Sequence, residues 1–333
     1  MDAEVVLAVQ AFDNLMKSNF ATKYLAMAAA YLGFSTSAVI KMARATSEAK
    51  SIETKEESES KITGARADQT IKLIEVETEI EIKSMQRRAT ALRKRELVRE
   101  QSNIESILSK GLLYSPVSID DASVDDDWIR KFFNSARLVS HEQMQDLWAN
   151  ILAREVANPG SFSLLTLEAV KTMDVRIADL FTKACESIWQ VDDHSRILIE
   201  FNQWESDMRD ENKYVPADSN LSATMNLRDL STLTAHNLIS PVEESNRLFW
   251  RMSSLPTDNG PSVRTLRYFD ETFRVGFFYK PSYFNLTLTS RSLTFVGEQL
   301  QTICGAVCRI EHQDSVLHFL RSSGNCTIEK LTS

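Results

Sequence analysis

Apolar residues recur at intervals of mostly three, four and seven positions through residues 62–108, a stretch otherwise rich in charge. They are Ile62, Ala65, Ile71, Ile74, Val76, Ile80, Met85, Ala89, Leu92, Leu97, Ile104 and Leu108. Because these intervals favour one face of a helix, the pattern predicts a long charged helix or coiled coil within residues 46–115. A continuous helix of that kind would extend about 100 Å. We expect such a rod to pack against a copy of itself.

One part of this stretch also fits a strand. Residues 74–82 (IEVETEIEI) alternate strictly, with isoleucine, valine and threonine on one side and glutamate on the other. That alternation is typical of a half-buried strand. No turn residues bound the segment, however, and both flanks have a helical pattern. We therefore predict helix here and leave a strand as the open alternative.

The first 45 residues are predicted to form apolar helices. The longest uncharged segment, residues 24–40, has 17 residues and includes Gly33. A membrane-spanning helix needs roughly 20 predominantly apolar residues. The segment therefore predicts a buried helix or a helical hairpin broken near Gly33, with a membrane-inserting segment as the alternative. The N-terminus has early acidic residues and no basic region, so it does not resemble a secretory signal.

Residues 120–190 show the pattern of a helical core domain. One of Asp125, Asp126 and Asp127 is expected to cap the helix that carries Trp128. Asn158, Pro159 and Gly160 predict a sharp stop and turn after the following helix. Two more helices should follow, the second over residues 175–189.

In residues 191–333 strand patterns appear beside helical ones, which predicts an α+β module. Asn226 should cap a helix over residues 227–236. Residues 274–279 and 283–289 have strand patterns and flank Lys280, Pro281 and Ser282, which predicts a hairpin. A helix with a hairpin indicates a winged-helix-like module. The predicted fold is therefore mainly α, with a long charged helix, a central helical bundle and this C-terminal module.

Charge is segregated along the long predicted helix. Residues 53–81 contain nine acidic and four basic residues, whereas residues 83–99 contain seven basic residues and one acidic residue. Arg88, Arg95 and Arg99 share one helical face, with Arg87 and Lys94 beside them. The charges could simply solvate the helix, meet the acidic segment of a neighbouring chain and set its register, or bind the phosphates of nucleic acid or anionic lipid.

Candidate chemistry is sparse. The sequence has no P-loop, no G-x-G-x-x-G and no G-x-S-x-G. Cys304, Cys308 and His312 are four residues apart and would share a helical face, where His318 or Cys326 could complete a tetrahedral zinc site. No C-x-x-C knuckle supports that site, and buried free cysteine is the commoner situation. We therefore predict no metal, no cofactor and no catalytic residue.

Composition limits the class of protein and the cellular compartment that we expect. The chain has 333 residues, with 38 Lys+Arg against 46 Asp+Glu and a net charge of −8. That balance excludes a protein that coats DNA over its whole surface. The four cysteines have no framework spacing, which indicates a reducing compartment. We expect a cytoplasmic protein.

The segment LWANILAREVANPGSFS, residues 147–163, carries a family resemblance. It resembles an uncharacterised bacterial domain-of-unknown-function family with an LWA-x-ILA-x-E…NPGSFS core, which is distantly similar to the abortive-infection alpha proteins. The resemblance implies helix through residues 74–89 and a role in defence against phage or in mobile-element biology. It brings no activity or ligand. We interpret the residues that carry it as structural: Trp148, Glu155, Asn158, Pro159, Gly160 and Ser161.

The sequence thus predicts a non-enzymatic, self-assembling interaction protein, a sensor or scaffold in bacterial anti-phage defence. Its expected partners are copies of itself and another protein. One alternative is a nucleic-acid-binding regulator that uses the winged-helix-like module and the Arg88, Arg95 and Arg99 stripe. A second alternative is a membrane-acting effector that uses residues 24–40.

Overall fold

The structure, a computed structural model, describes residues 3–32, 39–41, 43–45, 72–114, 119–192, 195–200, 225–241, 262–277, 289–322 and 326–331. It divides the chain into two compact units, Met1–Phe162 and Ser163–Ser333. The boundary between them lies inside residues 120–190, which we predicted as one helical domain. Each unit has a buried core of its own, described separately below.

The first unit is helical where it is described. Its helices are α1 (Ala3–Met16), α2 (Asn19–Leu32), α3 (Lys72–Leu113), α4 (Asp126–Ala136) and α5 (Glu142–Ala157). At 1.5 Å per residue the 42 residues of α3 extend about 63 Å. Residues 74–82 lie within α3, so the helix prediction is confirmed there and the strand alternative is wrong. The remainder of the predicted long helix, residues 46–71, lies outside the described residues.

Aromatic side chains form the centre of this unit. Trp128 stacks on Phe132 with ring centroids 5.3 Å apart, and Phe132 meets Trp148 edge-on at 5.2 Å. The Asp125 side chain accepts a hydrogen bond from the Trp128 backbone N–H at 2.9 Å and so begins α4. This bond confirms the predicted aspartate cap, because it pairs one of the backbone N–H groups that a helix start leaves free.

Close approach of helices in this unit depends on Gly111 in α3. A Cβ at this position would collide with the hydroxyl of Tyr24 in α2 and lie 3.1 Å from the Ala149 carbonyl oxygen in α5. Glycine therefore lets the three helices pack closely. Within the described ranges, no helix has both the length and the apolar character needed to cross a membrane. Residues 33–38 of the apolar segment are not among them.

The second unit combines helices with a sheet. Its helices are α6 (Leu164–Lys171), α7 (Val175–Cys185), α8 (Leu227–Ala235), α9 (Phe295–Gln301) and α10 (Ile310–Ser322). Its strands are β1 (Ile188–Val191), β2 (Ser195–Glu200), β3 (Ser262–Tyr268), β4 (Glu271–Phe277), β5 (Thr289–Ser292) and β6 (Cys326–Leu331). They form one six-stranded sheet in the order β5-β2-β1-β3-β4-β6, and all pairs are antiparallel.

Helix α10 covers the core of this sheet. Val316, Leu317 and Leu320 of α10 join a buried cluster with Trp189 of β1 and Tyr268 of β3. The rings of Trp189 and Tyr268 stack with centroids 4.7 Å apart. Helix α8 begins at Asn226, whose side chain accepts from the Asp229 N–H at 2.9 Å, as the sequence predicted.

Two sequence predictions in this unit are wrong. The helix predicted over residues 175–189 ends at Cys185, because Trp189 and Val191 are strand residues whose side chains enter the sheet core. The predicted hairpin between residues 274–279 and 283–289 is wrong for residues 274–277, and residues 278–288 lie outside the described residues. Strand β4 pairs with β3 on one edge and β6 on the other, and β5, which begins at Thr289, pairs with β2. The coarse prediction of a helix-rich chain with a C-terminal α+β unit is confirmed.

Candidate interaction surface

Helix α3 changes environment along its length. Near its C-terminal end Ile104, Ile107, Leu108 and Leu112 are buried in the core of the first unit. Between residues 83 and 99 every side chain is exposed except Ser84, which is half-buried. The exposed part includes large apolar side chains that usually lie inside proteins: Met85, Leu92, Leu97 and Val98.

The exposed part is strongly basic. Arg88 donates a 3.4 Å hydrogen bond to Ser84, and Arg93 lies 3.7 Å from both Glu96 and Glu100. Within the residues that the structure describes, Arg87, Lys94, Arg95 and Arg99 form no ion pair. The positive charges of these four side chains are therefore open to a partner.

Five of these exposed residues form a single seam. Met85, Arg88, Leu92, Arg95 and Arg99 are spaced by three, four, three and four positions, the a and d spacing of a coiled coil. We call them the basic seam. Arg88, Arg95 and Arg99 are the predicted stripe, and Arg87 and Lys94 lie directly beside it on α3. Met85 and Leu92 belong to the periodic apolar pattern in the sequence, but they were not among the predicted interaction residues.

The buried end of α3 is fixed to α5 and to the turn after α4 by polar contacts. Lys110 forms an ion pair with Asp146 at 3.0 Å, and its side chain is only 13% exposed. Asn103 donates to the Arg137 carbonyl at 2.9 Å, and Gln145 hydrogen bonds to Asn103 at 3.3 Å. These contacts hold the later turns of α3 in one register against the core. The basic seam therefore extends from a part of the helix that is fixed in place.

The residues of the family-like segment lie in the core and turn that end α5. Glu155 is 2% exposed, and its carboxylate accepts hydrogen bonds from the N–H groups of Gly160 at 2.7 Å and Phe162 at 2.8 Å. Gly160 has φ +89°, a backbone conformation that favours glycine. Ser161 donates to the Asn158 carbonyl at 2.6 Å. Trp148 is fully buried.

Backbone N–H groups in the turn after α5 are the kind of donors that can bind an anion, but here they donate to Glu155. Burial raises the pKa of the Glu155 carboxyl, and the hydrogen bonds from the backbone N–H groups of Gly160 and Phe162 oppose that rise. The N–H groups that could hold a bound anion are thus directed at a carboxylate of the same chain. The arrangement stabilises the turn between α5 and α6.

The residues weighed in the sequence as a zinc site, which we predicted not to bind metal, are not brought together. Cys304 and Cys308 do not share a helix, because residues 302–309 are not helical. His312 is buried and its Nε2 accepts a hydrogen bond from the Trp189 indole at 3.2 Å. Burial lowers the pKa of His312 to about 4. Among the described residues, no three His, Cys, Asp or Glu side chains are grouped to hold a metal ion.

Comparison with known proteins identifies a family and no activity. The family described as a protein of unknown function, DUF2806, matches residues 85–314. The match begins in the basic seam and continues into α10. Neither the curated proteins nor the solved structures include a match to the chain.

Proposed function

Since the chain belongs to the DUF2806 family, whose description names no activity, we propose from its own contacts that it is a non-enzymatic, self-assembling interaction protein. The proposed partner is a second copy of the chain, held through helix α3. The observation that carries the proposal is the exposed basic seam, where Met85 and Leu92 alternate with arginine at coiled-coil spacing.

Continuation of the seam toward the start of α3 makes the helix self-complementary. The same spacing runs back through Glu81 and Thr78 to Ile74. Residues 75–81 contain four glutamates, whereas residues 83–99 have a net charge of +6. By sequence, the start of α3 is therefore acidic and residues 83–99 are basic, so two copies can neutralise each other.

Charge favours an antiparallel pair. In a parallel, in-register pair Arg88, Arg95 and Arg99 would each face the same arginine of the partner, and like charges at seam positions repel. In an antiparallel pair centred between Met85 and Arg88, each a position faces a d position. Glu81 then faces the partner's Leu92, with the partner's Arg88 and Arg95 on either side.

A disulfide exchange experiment tests both the pairing and its direction. Glu81→Cys and Leu92→Cys are made separately in a Cys308→Ser background, since Cys308 is exposed. The antiparallel pair predicts that mixing the two variants gives a disulfide-linked dimer, whereas each variant alone gives little. A dimer formed as readily by Glu81→Cys alone would contradict the antiparallel pair, and no cross-link in any sample would contradict the assembly.

A second candidate function uses the same basic side chains of α3. In the first unit, the five basic residues Arg87, Arg88, Lys94, Arg95 and Arg99 would bind phosphates of nucleic acid. In the second unit, taken by itself, α8 with its exposed Arg228 would be the recognition helix of a winged-helix-like module. Binding of duplex DNA is then expected to fall by orders of magnitude between about 50 and 200 mM salt, and to be weakened by R88E/R95E. Binding that is insensitive to salt would contradict this candidate.

The setting we propose is bacterial anti-phage defence, on the resemblance of residues 147–163. A strain that carries the gene is expected to reduce phage plating, and R88E/R95E is expected to lose that protection if assembly is required. Equal plating on strains with and without the gene, across a panel of phages, would contradict the proposed setting while leaving the assembly of α3 untouched.

A further inference from the structure

One face of the sheet in the second unit carries a row of polar side chains. Gln190 of β1 lies opposite Arg196 of β2 on one side and opposite Arg267 of β3 on the other. Because residues directly opposite each other in adjacent strands point to the same face, the two arginines flank Gln190 on that face. The neighbouring Trp189 points to the other face, into the core that α10 covers. The polar row is therefore on the side of the sheet away from that core.

The row borders an open pocket. The pocket has a volume of about 370 Å³, and Gln190, Arg196, Arg267, Phe269 and Gln301 are among the residues that line it. Small-molecule sites in proteins usually have volumes of roughly 300 to 1,000 Å³ and combine apolar walls with a few converging polar groups. This pocket therefore has the size and the mixed lining of a site for a small ligand.

Both arginines of the pocket are available to an anion. Arg196 is half-buried, and its guanidinium donates a 3.0 Å hydrogen bond to the side-chain carbonyl of Gln301, a neutral partner at the end of α9. Arg267 is exposed. Within the part of the chain that the structure describes, neither arginine forms an ion pair, and no aspartate or glutamate lines the pocket. Since guanidinium groups bind phosphate and carboxylate through paired N–H donors, the pocket is suited to an anionic ligand.

An aromatic residue in an unusual backbone conformation lines the same pocket. Phe269 lies in the two-residue turn between β3 and β4 and has φ +50°. Positive φ in such a turn is usually adopted by glycine, asparagine or aspartate, because bulky side chains rarely tolerate it. The Phe269 ring meets Tyr268 edge-on at 4.9 Å, yet Phe269 remains 37% exposed. The turn thus places a ring beside the two arginines although local backbone preference opposes it.

We propose that this pocket binds a small phosphate monoester that carries a planar ring. A phosphate monoester has about two negative charges at neutral pH, which matches the charges of Arg196 and Arg267. The phosphate oxygens accept hydrogen bonds from the two guanidinium groups, and the ring packs on Phe269. A carboxylate has a single charge and would neutralise only one of the two arginines. This binding site goes beyond the self-assembly proposed for α3.

Calorimetric titration of the full chain at constant ionic strength tests the class of ligand with three probes: phenyl phosphate, inorganic phosphate and benzoate. Phenyl phosphate has both the ring and the phosphate, inorganic phosphate lacks the ring, and benzoate replaces the phosphate by a carboxylate. Phenyl phosphate is expected to bind most tightly. Equal or tighter binding of either other probe, or no detectable binding of phenyl phosphate, would overturn the proposal.

Two arginine variants test where the probe binds. Arg267→Gln should weaken phenyl phosphate binding by about tenfold or more, because a charged donor is lost from the pocket. Arg274→Gln is the matched control and should bind like wild type. Arg274 is exposed on β4, on the same face of the sheet as Arg267, but it does not line the pocket. Equal weakening by the two variants would show attraction to surface charge alone and would overturn the site.

Phe269→Asn tests the role of the ring. Asparagine tolerates positive φ more readily than phenylalanine does, so the fold should be kept, with circular dichroism confirming it. The affinity for phenyl phosphate should fall by about two- to tenfold, whereas the affinity for inorganic phosphate should stay unchanged. The proposal is overturned if the variant binds phenyl phosphate as tightly as wild type does, or if its affinity for inorganic phosphate falls by the same factor.

Discussion

The two ends of α3 are built from one continuous helix and have opposite environments. Near the C-terminal end, Leu108 is fully buried against the helices of the first unit, while Leu92, 16 residues earlier, is 57% exposed. Helix formation alone does not distinguish the two ends. The difference lies in what covers them, because residues 119–157 pack only on the later turns. Since a helix gains most of its stability from packing of its apolar face, the exposed turns need a partner that the described residues of a single chain do not supply.

The largest expected loss of stability comes from a substitution in the buried end of α3. Leu108→Ala removes packed methyl groups and leaves a cavity, so the free energy of unfolding should fall by about 3 kcal/mol. Leu92→Ala should change the unfolding of a single chain by less than about 0.5 kcal/mol. Urea denaturation at low protein concentration measures both, and equal losses for the two variants would contradict the assigned environments.

The next effect compares two glutamates. Glu155→Ala removes the carboxylate that pairs the Gly160 and Phe162 N–H groups, so unfolding should become easier by about 2 to 3 kcal/mol. Glu96→Ala on the exposed part of α3 should cost less than about 0.5 kcal/mol. Denaturation at pH 7 checks the pair. A loss below about 1 kcal/mol for Glu155→Ala would mean that the turn does not depend on this carboxylate.

Helix α10 also has a buried and an exposed side, and its buried histidine, His312, makes the free energy of unfolding depend on pH. The pKa of His312 is lowered to about 4, so below its ordinary value near 6.5 the unfolded chain binds a proton that the folded chain excludes. Stability from neutral His312 is therefore full at high pH and lost as the pH falls, by about 2 kcal/mol between pH 7.5 and 5.

His312→Gln should remove that part of the pH dependence, since glutamine does not titrate. His318→Gln, on the exposed side of the same helix, is the matched control and should leave it in place. Thermal or urea unfolding at several pH values measures the difference between each variant and wild type. Parallel curves for wild type and His312→Gln would contradict the assignment.

The smallest effect compares two ion pairs of α3. Lys110 pairs with Asp146 at 3.0 Å and is largely covered, so Lys110→Met should cost about 1 kcal/mol of unfolding free energy. Arg93→Met loses two long contacts, each of 3.7 Å, with Glu96 and Glu100, and because Arg93 itself is exposed the variant should cost less than about 0.5 kcal/mol. Salt should reduce the second effect more than the first. The reverse order would mean that the exposed pair is held by something not yet identified.

The sequence predicted the features that local pattern controls. Helix through residues 74–82, the Asp125 cap and the Asn226 cap all depend on neighbours within a few positions, and all three are confirmed. The order of the strands was beyond reach, because β1 pairs with β3 and β2 with β5 across long stretches of sequence. Trp189 was assigned to a helix because a short apolar run does not distinguish a buried strand from a helix.

The candidate site was partly predictable for the same reason. Arg88, Arg95 and Arg99 share a helical face by spacing alone, whereas their exposure depends on where the rest of the chain packs. The hydrogen bond from the Thr182 hydroxyl to the Cys304 carbonyl had no signal in the sequence, because only the fold brings α7 beside the segment after α9. Glu155 belonged to a recognisable segment, but its bonds to Gly160 and Phe162 could not be read from spacing.

The mass of the protein in solution tests the central claim most directly. Sedimentation equilibrium from about 1 to 100 µM should show wild type converging on twice the 37.7 kDa of one chain, with assembly weakened by R88E/R95E. R176E/K183E is the matched control, because it reverses two exposed bases seven residues apart on α7, and it should assemble like wild type. A wild-type mass of 37.7 kDa at every concentration would contradict assembly through the basic seam.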